Sequence, residues 1–370
     1  MPRSRRTGRI IALTAAAAAL GAAAWSFRDV PAALGRRPRR ERLARLADSP
    51  QFHDGAFHNA DGLGAATITS IGSVLADRRA NTAPTKPLRP VPLALPDPDP
   101  GPGAHVTWYG HASALVDMDG ARFLLDPVWS DRCSPSRLTG PRRLHPVPVE
   151  LADVPHVDAV LISHDHYDHL DMPTVKAITR ERTAPFLVPL GIGEHLERWG
   201  VPPERIIELD WDESHTVAGV TLTLTAAQHF SGRGFKRNTS LWGSWVLAGS
   251  GHRFFYTGDS GYFDGYRAIG QEYGPFDATL VQIGAYSPSW PHIHMTPEEA
   301  AQAHLDLRGG LLIPVHWCTF DLAFHAWGEP VDRLWREAKA RGIALTIPRP
   351  GQTVDIAAAP EPDGWWQGLA

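Results

Sequence analysis

Between Leu161 and Leu170 the chain reads Leu-Ile-Ser-His-Asp-His-Tyr-Asp-His-Leu, which puts His164, His166, Asp168 and His169 within six positions. Three imidazoles and a carboxylate are costly to place in a fold interior unless something pairs with them. Neutral imidazole and carboxylate together suit a divalent cation, zinc first, with iron or manganese also compatible. His164 and His166 are two apart, so on an extended segment both can point to one side. Asp168 and His169 can then turn toward a second point nearby. The bland reading, a polar loop that happens to be rich in histidine, fits this dense spacing poorly. The apolar run Val157 to Ile162 predicts a buried strand ahead of these residues, and Met172 to Glu181 a helix behind them. The four side chains therefore sit on a loop at a strand end.

The flanking chain alternates strands and helices. Val106 to Met118 predicts a strand pair or one long strand, Asp119-Gly120 a hairpin turn, and Arg122 to Leu125 the return strand. Strands follow at Phe186 to Pro189, Ile206 to Leu209, Val220 to Ala226, Ser240 to Leu247, Arg253 to Thr257, Ala278 to Ile283, Leu311 to Val315 and, as the last, Ile343 to Ile347. Helices are expected at Glu194 to Trp199, Phe263 to Tyr273, Glu298 to Leu307 and Val331 to Arg341, the last closed by Gly342. This is an α/β pattern, and two runs of strands that each finish in helices suggest two similar halves packed face to face.

The histidine loop resembles the metal signature of the metallo-β-lactamase superfamily, whose members also supply a later histidine, a Gly-Asp pair and a final histidine at strand ends. Gln228-His229, Gly258-Asp259 and Val315-His316 stand in that order here. Thr107 to Ala112, Leu125 to Val128, Leu241 to Trp245, Ile283 to Tyr286 and His294 to Ala300 are together similar to the phospholipase D group that hydrolyses N-acyl-phosphatidylethanolamine. The likeness spans roughly Ser49 to Gly351. It implies a four-layer αβ/βα sandwich of two mixed β-sheets flanked by helices. It implies that His164, His166 and His229 bind one metal, that Asp168, His169 and His316 bind the other, and that Asp259 bridges them. Two cations about 3.5–4 Å apart would acidify a shared water and neutralise phosphate oxygens. Asp168 and Asp259 would thus serve the chemistry as well as the metals. His294 would bind substrate phosphate or protonate the leaving group, unless it is only a helix-start residue. The group has glycine where this chain has Cys318.

Composition sets further bounds. The 370 residues are 43% hydrophobic and 21% charged, ordinary for a globular chain, and a net charge of −4 gives no reason to expect nucleic acid as a partner. Cys133 and Cys318 are the only cysteines, too few and too far apart for a zinc ribbon or a disulfide framework. Cys318 reads as a packing residue rather than a ligand. No Gly-x-Ser-x-Gly elbow offers a protein nucleophile.

The expected division is a signal or membrane-anchor segment over 1–27, a basic and proline-rich arm over 28–104, a catalytic domain over 105–356 and a tail over 357–370. Arg3, Arg5, Arg6 and Arg9 precede an alanine-rich apolar run, Ile10 to Trp25, which suits export or anchoring at a bacterial cell envelope. Arg36 to Arg45 reads as a basic helix, for anionic headgroups or simply for water. The prolines between Ala83 and Gly103 forbid a helix or central strand and predict an extended arm or linker.

Several residues keep two readings. Asp126 either orients a ligand histidine or merely turns the chain before Pro127. His111 is expected to be structural or to support a ligand rather than bind metal itself. Arg132, Arg137, Arg142 and Arg143 either meet a substrate phosphate or lie solvated on a loop. Tyr286, Trp290 and Trp245 either shape an apolar groove or pack in the core. The function these expectations favour is a dinuclear zinc phosphodiesterase acting on a phospholipid at a membrane surface. The alternatives are a metal-dependent lactonase or esterase, and a non-enzymatic membrane-associated protein of the same fold.

Overall fold

A computed structural model describes residues 27–60, 67–234 and 236–369, so the expected export or anchor segment lies almost wholly outside the described residues. Among the described residues no helix is long and apolar enough to cross a membrane.

Two seven-stranded mixed sheets form the centre of the molecule. The first carries, side by side, β1 (His105–Gly110), β2 (Ser113–Met118), β3 (Ala121–Leu125), β4 (Ala159–Leu161), β5 (Phe186–Pro189) and β6 (Ile206–Leu209). The second carries β7 (Ser214–Val217), β8 (Val220–Thr225), β9 (Ser244–Ala248), β10 (Arg253–Tyr256), β11 (Phe276–Gln282), β12 (Gly309–Val315) and β13 (Ala344–Leu345). A further strand, β14 (Thr353–Asp355), returns to the first sheet and pairs antiparallel with β1. Each sheet then has the same pattern across its width, three antiparallel pairings followed by three parallel ones. The two halves are alike in topology.

Period-two alternation separates the layers. Trp108, Val116, Phe123, Leu125, Leu161 and Leu187 share one core with Leu222, Leu224, Trp245, Leu247, Phe254 and Tyr256 of the second sheet. Their neighbours Tyr109, Leu115, Leu124, Val160, Phe186 and Val188 instead meet Val175 and Ile178 of a helix, α3 (Met172–Glu181). Fully burying such a side chain contributes roughly 1.5–3 kcal/mol, so this alternation fixes which face each sheet turns inward. The outer face of the second sheet is covered by α5 (Gly265–Glu272), α6 (Pro297–Asp306) and α7 (Glu329–Arg341). Asp171 caps α3 by accepting from Thr174 N–H, and Thr296 with Glu299 forms a capping box on α6.

Of the two readings of Val106 to Met118, the strand pair is the one found, joined at His111-Ala112, while other expectations are corrected. Ser240 to Gly243 is not strand: Leu241 N–H donates to Leu190 O and Gly243 N–H to Ser163 O, so this segment bridges between the sheets. Ala344–Leu345 is not the last strand, because β14 follows it. The basic helix is α1 (Arg40–Ala47), anchored by the fully buried Leu46. The proline-rich stretch lies extended on the domain, with Leu88 N–H on Leu369 O and Ala94 N–H on Pro350 O. The chain end packs as well: Trp366 is 1% exposed and donates to Asp332.

Candidate metal centre

Every sequence-predicted ligand lies just beyond a strand, and the sheets bring these strand ends to one place. His164, His166, Asp168 and His169 follow β4; His229 follows β8; Asp259 follows β10; His316 directly follows β12. The sheets meet here without a spacer. A Cβ on Gly258, whose φ is +56°, would lie 2.5 Å from Ser163 Cβ of the other half. Glycine is what lets the two halves approach closely enough to share ligands.

Two donor sets result. His164 Nε2 is 2.8 Å from His166 Nδ1, and His229 Nε2 is 3.3 Å from the same nitrogen. The outer nitrogens are engaged elsewhere, His164 Nδ1 with Ser163 Oγ at 3.0 Å and His229 Nδ1 with Ile293 O at 3.0 Å. With Nδ1–H so occupied, the Nε2 lone pairs face inward. In the second set, Asp168 Oδ2 lies 3.3 Å from His316 Nε2 and 3.6 Å from His169 Nε2. Asp259 stands between the sets. Its Oδ2 is 3.1 Å from both His169 Nε2 and His316 Nε2, 3.7 Å from His164 Nε2 and 3.8 Å from His229 Nε2.

Most of this is buried, with His166 and Asp168 partly exposed, and several polar atoms have no hydrogen-bond partner: His169 Nε2, Asp259 Oδ1, His294 Nδ1, His316 Nδ1 and His111 Nδ1. Unmade bonds of this kind cost about 1–3 kcal/mol each, and a cation between the two sets would engage the inward-facing atoms among them. The charge balance agrees. Burial by itself would raise the Asp259 carboxyl, yet His169, His316 and His294 hold it well below the usual carboxylate range. Burial opposes a proton on His169 too, but Asp259, Asp168 and Asp126 outweigh it and push that imidazole up. A site that draws a proton onto buried imidazole offers net negative charge to a cation. His164 and His229, where burial dominates, are held neutral and ready to ligate.

Asp126 orients His169. It accepts from His169 Nδ1 at 2.7 Å, Ser163 N at 2.7 Å, Ser163 Oγ at 2.5 Å and Tyr256 Oη at 2.5 Å. His111 supports a candidate ligand, as expected: its Nε2 is 2.9 Å from Asp168 Oδ2, and one ligand atom from each of His111, Asp168, His169 and His316 lies within 4.8 Å of the others. His294 Nδ1 is 4.0 Å from Asp259 Oδ2, its ring stacked on His316, and it lines a cavity of about 460 Å³ with Tyr286, Ser287, Pro291, His325 and Arg333. Burial pushes His294 down to about 3, so it is neutral at ordinary pH.

Other candidates lie elsewhere. Trp245 is core, donating to Ile162 O at 3.0 Å across the sheets. Trp290 packs on Phe324. Arg143 is buried and donates to Ser130 O and Val128 O, Arg142 pairs with Asp131, Arg132 donates to Gly140 O, and Arg137 pairs with Asp29. Arg143 is tied into the loop, whereas the side chains of Arg142 and Arg137 stay 68% and 50% exposed, as a solvated loop would have them. Cys318 is buried at φ +71°, a conformation that glycine adopts more easily, which accounts for the glycine expected there.

Two supports escaped the sequence reading. Asn59, in the arm, accepts from His229 N–H at 3.0 Å and from Trp242 Nε1 at 3.1 Å. Asp165, inside the histidine motif but facing away from the ligands, accepts from Gly232 N–H and Ser240 Oγ and pairs with His195. No local pattern marks Asn59, because its partners are 170 and 183 positions away.

Fold and donor set together define a divalent-metal-binding hydrolase architecture. The chain belongs to the beta-lactamase superfamily, whose domain profile matches residues 121–317. It is 48% identical over 369 residues to an uncharacterized protein of Mycobacterium tuberculosis, covering 97% of this chain and 99% of that one. It is 38% identical over 258 residues to N-acyl-phosphatidylethanolamine-hydrolyzing phospholipase D 1 of Caenorhabditis elegans, covering 66% of this chain and 72% of that one. Among solved structures, Igni18, a metallo hydrolase from Ignicoccus hospitalis, superposes with a TM-score of 0.53 at 23% identity, over 68% of this chain and 97% of that one. That likeness concerns the fold.

Proposed function

We propose that the chain is a dinuclear zinc hydrolase that cleaves a phospholipid phosphodiester in the phospholipase D manner, with an N-acyl-phosphatidylethanolamine as the substrate class. The observation that carries this reading is Asp259, one carboxylate placed between two imidazole-rich donor sets, beside a cavity lined by His294. The similarity to the nematode phospholipase D supports the lipid part. His164, His166 and His229 would hold one ion; Asp168, His169 and His316 the other; Asp259 would reach both. When bound, the ions supply Lewis-acid chemistry, acidifying water and neutralising phosphate oxygens.

The chain's own groups do the rest. Asp126 keeps His169 in the tautomer that ligates, and Ile293 O does the same for His229. His294, neutral and aimed at Asp259, offers a hydrogen bond to a phosphate oxygen or to the departing alcohol. Water oxygen bonds to phosphorus, the bond from phosphorus to the ethanolamine oxygen breaks, and the alkoxide takes a proton. The products are a phosphatidic acid and an N-acylethanolamine. Residues 1–27 would keep the enzyme at the bacterial cell envelope, by export or anchoring, where this substrate lies.

The test is release from a fluorescent N-acyl-phosphatidylethanolamine, with and without chelator, beside a panel of lactones and simple esters. Lipid turnover that chelation abolishes is the expected result. Ring opening without lipid turnover, or silence on every substrate with metal bound, overturns it.

A further inference from the structure

A buried cation stands behind the histidine loop. Arg233 is 5% exposed, and a guanidinium so placed is costly unless its donors are satisfied. Backbone carbonyls satisfy them. Nη1 donates to Asp165 O and to Leu170 O, both at 2.7 Å, and Nε donates to Ala33 O of the arm at 2.9 Å. The guanidinium carbon lies 4.1 Å from the ring centre of Tyr167 and 5.0 Å from that of Trp199, within reach of cation–π attraction. Two further bonds join the same segments: Tyr167 Oη donates to Arg233 O at 2.7 Å, and Gly232 N–H to Asp165 Oδ1 at 2.6 Å. Asp165 and Leu170 bracket His166, Asp168 and His169, and Arg233 follows His229 by four positions. One side chain thus fastens the loop of the first half to the segment that brings His229 from the second.

We propose that Arg233 is a positioning residue for the metal centre, a clamp that fixes the span of the ligand loop and its place beside His229 before any ion arrives. This rests on the dinuclear reading above. Residues 163–171 belong to no helix or strand, so no ladder sets their spacing, and the donors they carry must meet donors from the other sheet. Nη1 has two N–H bonds in one rigid fork, one for each carbonyl. A lysine ammonium reaches a carbonyl but offers no planar face to Tyr167 and no fixed fork. A positive charge adds nothing favourable for a cation, so what Arg233 contributes is geometry, through the carbonyls it holds. Ala33 makes the arm a part of the same clamp.

The experiment titrates the chelated full chain with Co²⁺ and follows the visible absorption, which reports donor geometry. Arg233→Met should weaken cobalt binding about 10–100-fold, the size of effect expected for a ligand's support, and alter the band shape. Arg233→Lys should recover only part of the loss. The rise in thermal midpoint that zinc gives the wild type should shrink in both variants, since weaker binding stabilises the native state less. Tyr167→Phe, which removes only the bond to Arg233 O, is the milder lesion and decides the matter if Arg233→Met does not fold; it should shift affinity and spectrum in the same direction. A lower midpoint for the chelated variants with cobalt affinity and spectrum unchanged would make Arg233 a packing residue and overturn the proposal. A wild type that takes up no cobalt overturns the dinuclear reading itself, and the clamp with it.

Discussion

His169 donates from Nδ1 to Asp126 Oδ2 at 2.7 Å, and neither side chain is exposed to solvent. Asp126 sits at φ +36°, immediately after β3, and its carboxylate takes four hydrogen bonds. A strained turn residue has thus become the anchor of a ligand. Asp126→Asn retains the shape but loses the charge that holds the His169 tautomer. Metal affinity should fall about 10–100-fold, measured by competition with a chromophoric chelator; unchanged affinity would show that Asp126 is only a turn residue.

Asp259 Oδ2 lies within 4 Å of donors from both sets, so on the proposed reading its loss should exceed that of any supporting group. Asp259→Ala is expected to lower metal retention and turnover by more than the roughly 10–100-fold typical of an outer partner. Elemental analysis of the purified variant, set beside its activity, checks this. Retention of two ions with normal turnover would remove the basis for the dinuclear reading.

Chelation should also lower the thermal midpoint of the wild type, and added zinc should restore it. The donor atoms at the centre are buried and poorly satisfied without a cation, and a ligand that binds only the native state stabilises it by mass action. A midpoint indifferent to chelator would mean that these atoms find other partners.

Asn59→Ala leaves His229 N–H without its acceptor, while Trp242 Nε1 keeps its bond to Ala227 O. The cost should be about 1–3 kcal/mol in denaturant unfolding. Asn59→Asp, which keeps an oxygen in place, should recover most of it. Equal losses in the two variants would point to packing instead.

His304 gives a stability signature separate from the metal site. Burial lowers its pKa to about 4, and its Nδ1 meets Thr279 Oγ1 at 2.7 Å. Between that value and the unfolded value of about 6.5 the unfolded chain binds the extra proton. Stability from this group is therefore complete above the unfolded value and drains away as pH falls toward 4, by on the order of 2–3 kcal/mol. His304→Gln should flatten this part of the stability–pH curve in urea titrations; an unaltered slope would assign it to other groups, among them His145, which burial also lowers to about 4.

Much of the centre was legible because its information is local. His164 to His169 crowd six positions after an apolar strand, and no packing argument accounts for them without a cation. The alternation of strands and helices likewise exposed the strand ends carrying His229, Asp259 and His316. The weaker readings were those that depend on register. Whether Asp126 turns the chain or holds His169 depended on a contact 43 positions away, and His111 entered the donor cluster through Asp168, 57 positions distant.

By itself, then, the sequence determined the candidate donor types, their order and the alternating elements that carry them, since spacing and hydrophobic period are properties of neighbouring residues. Only the tertiary structure decided that β14 returns to the first sheet, that Asn59 reaches His229, and that Asp259 stands between both donor sets. Those relationships arise when two separately patterned sheets bury their inner faces against each other, and such pairings leave no periodic trace along the chain.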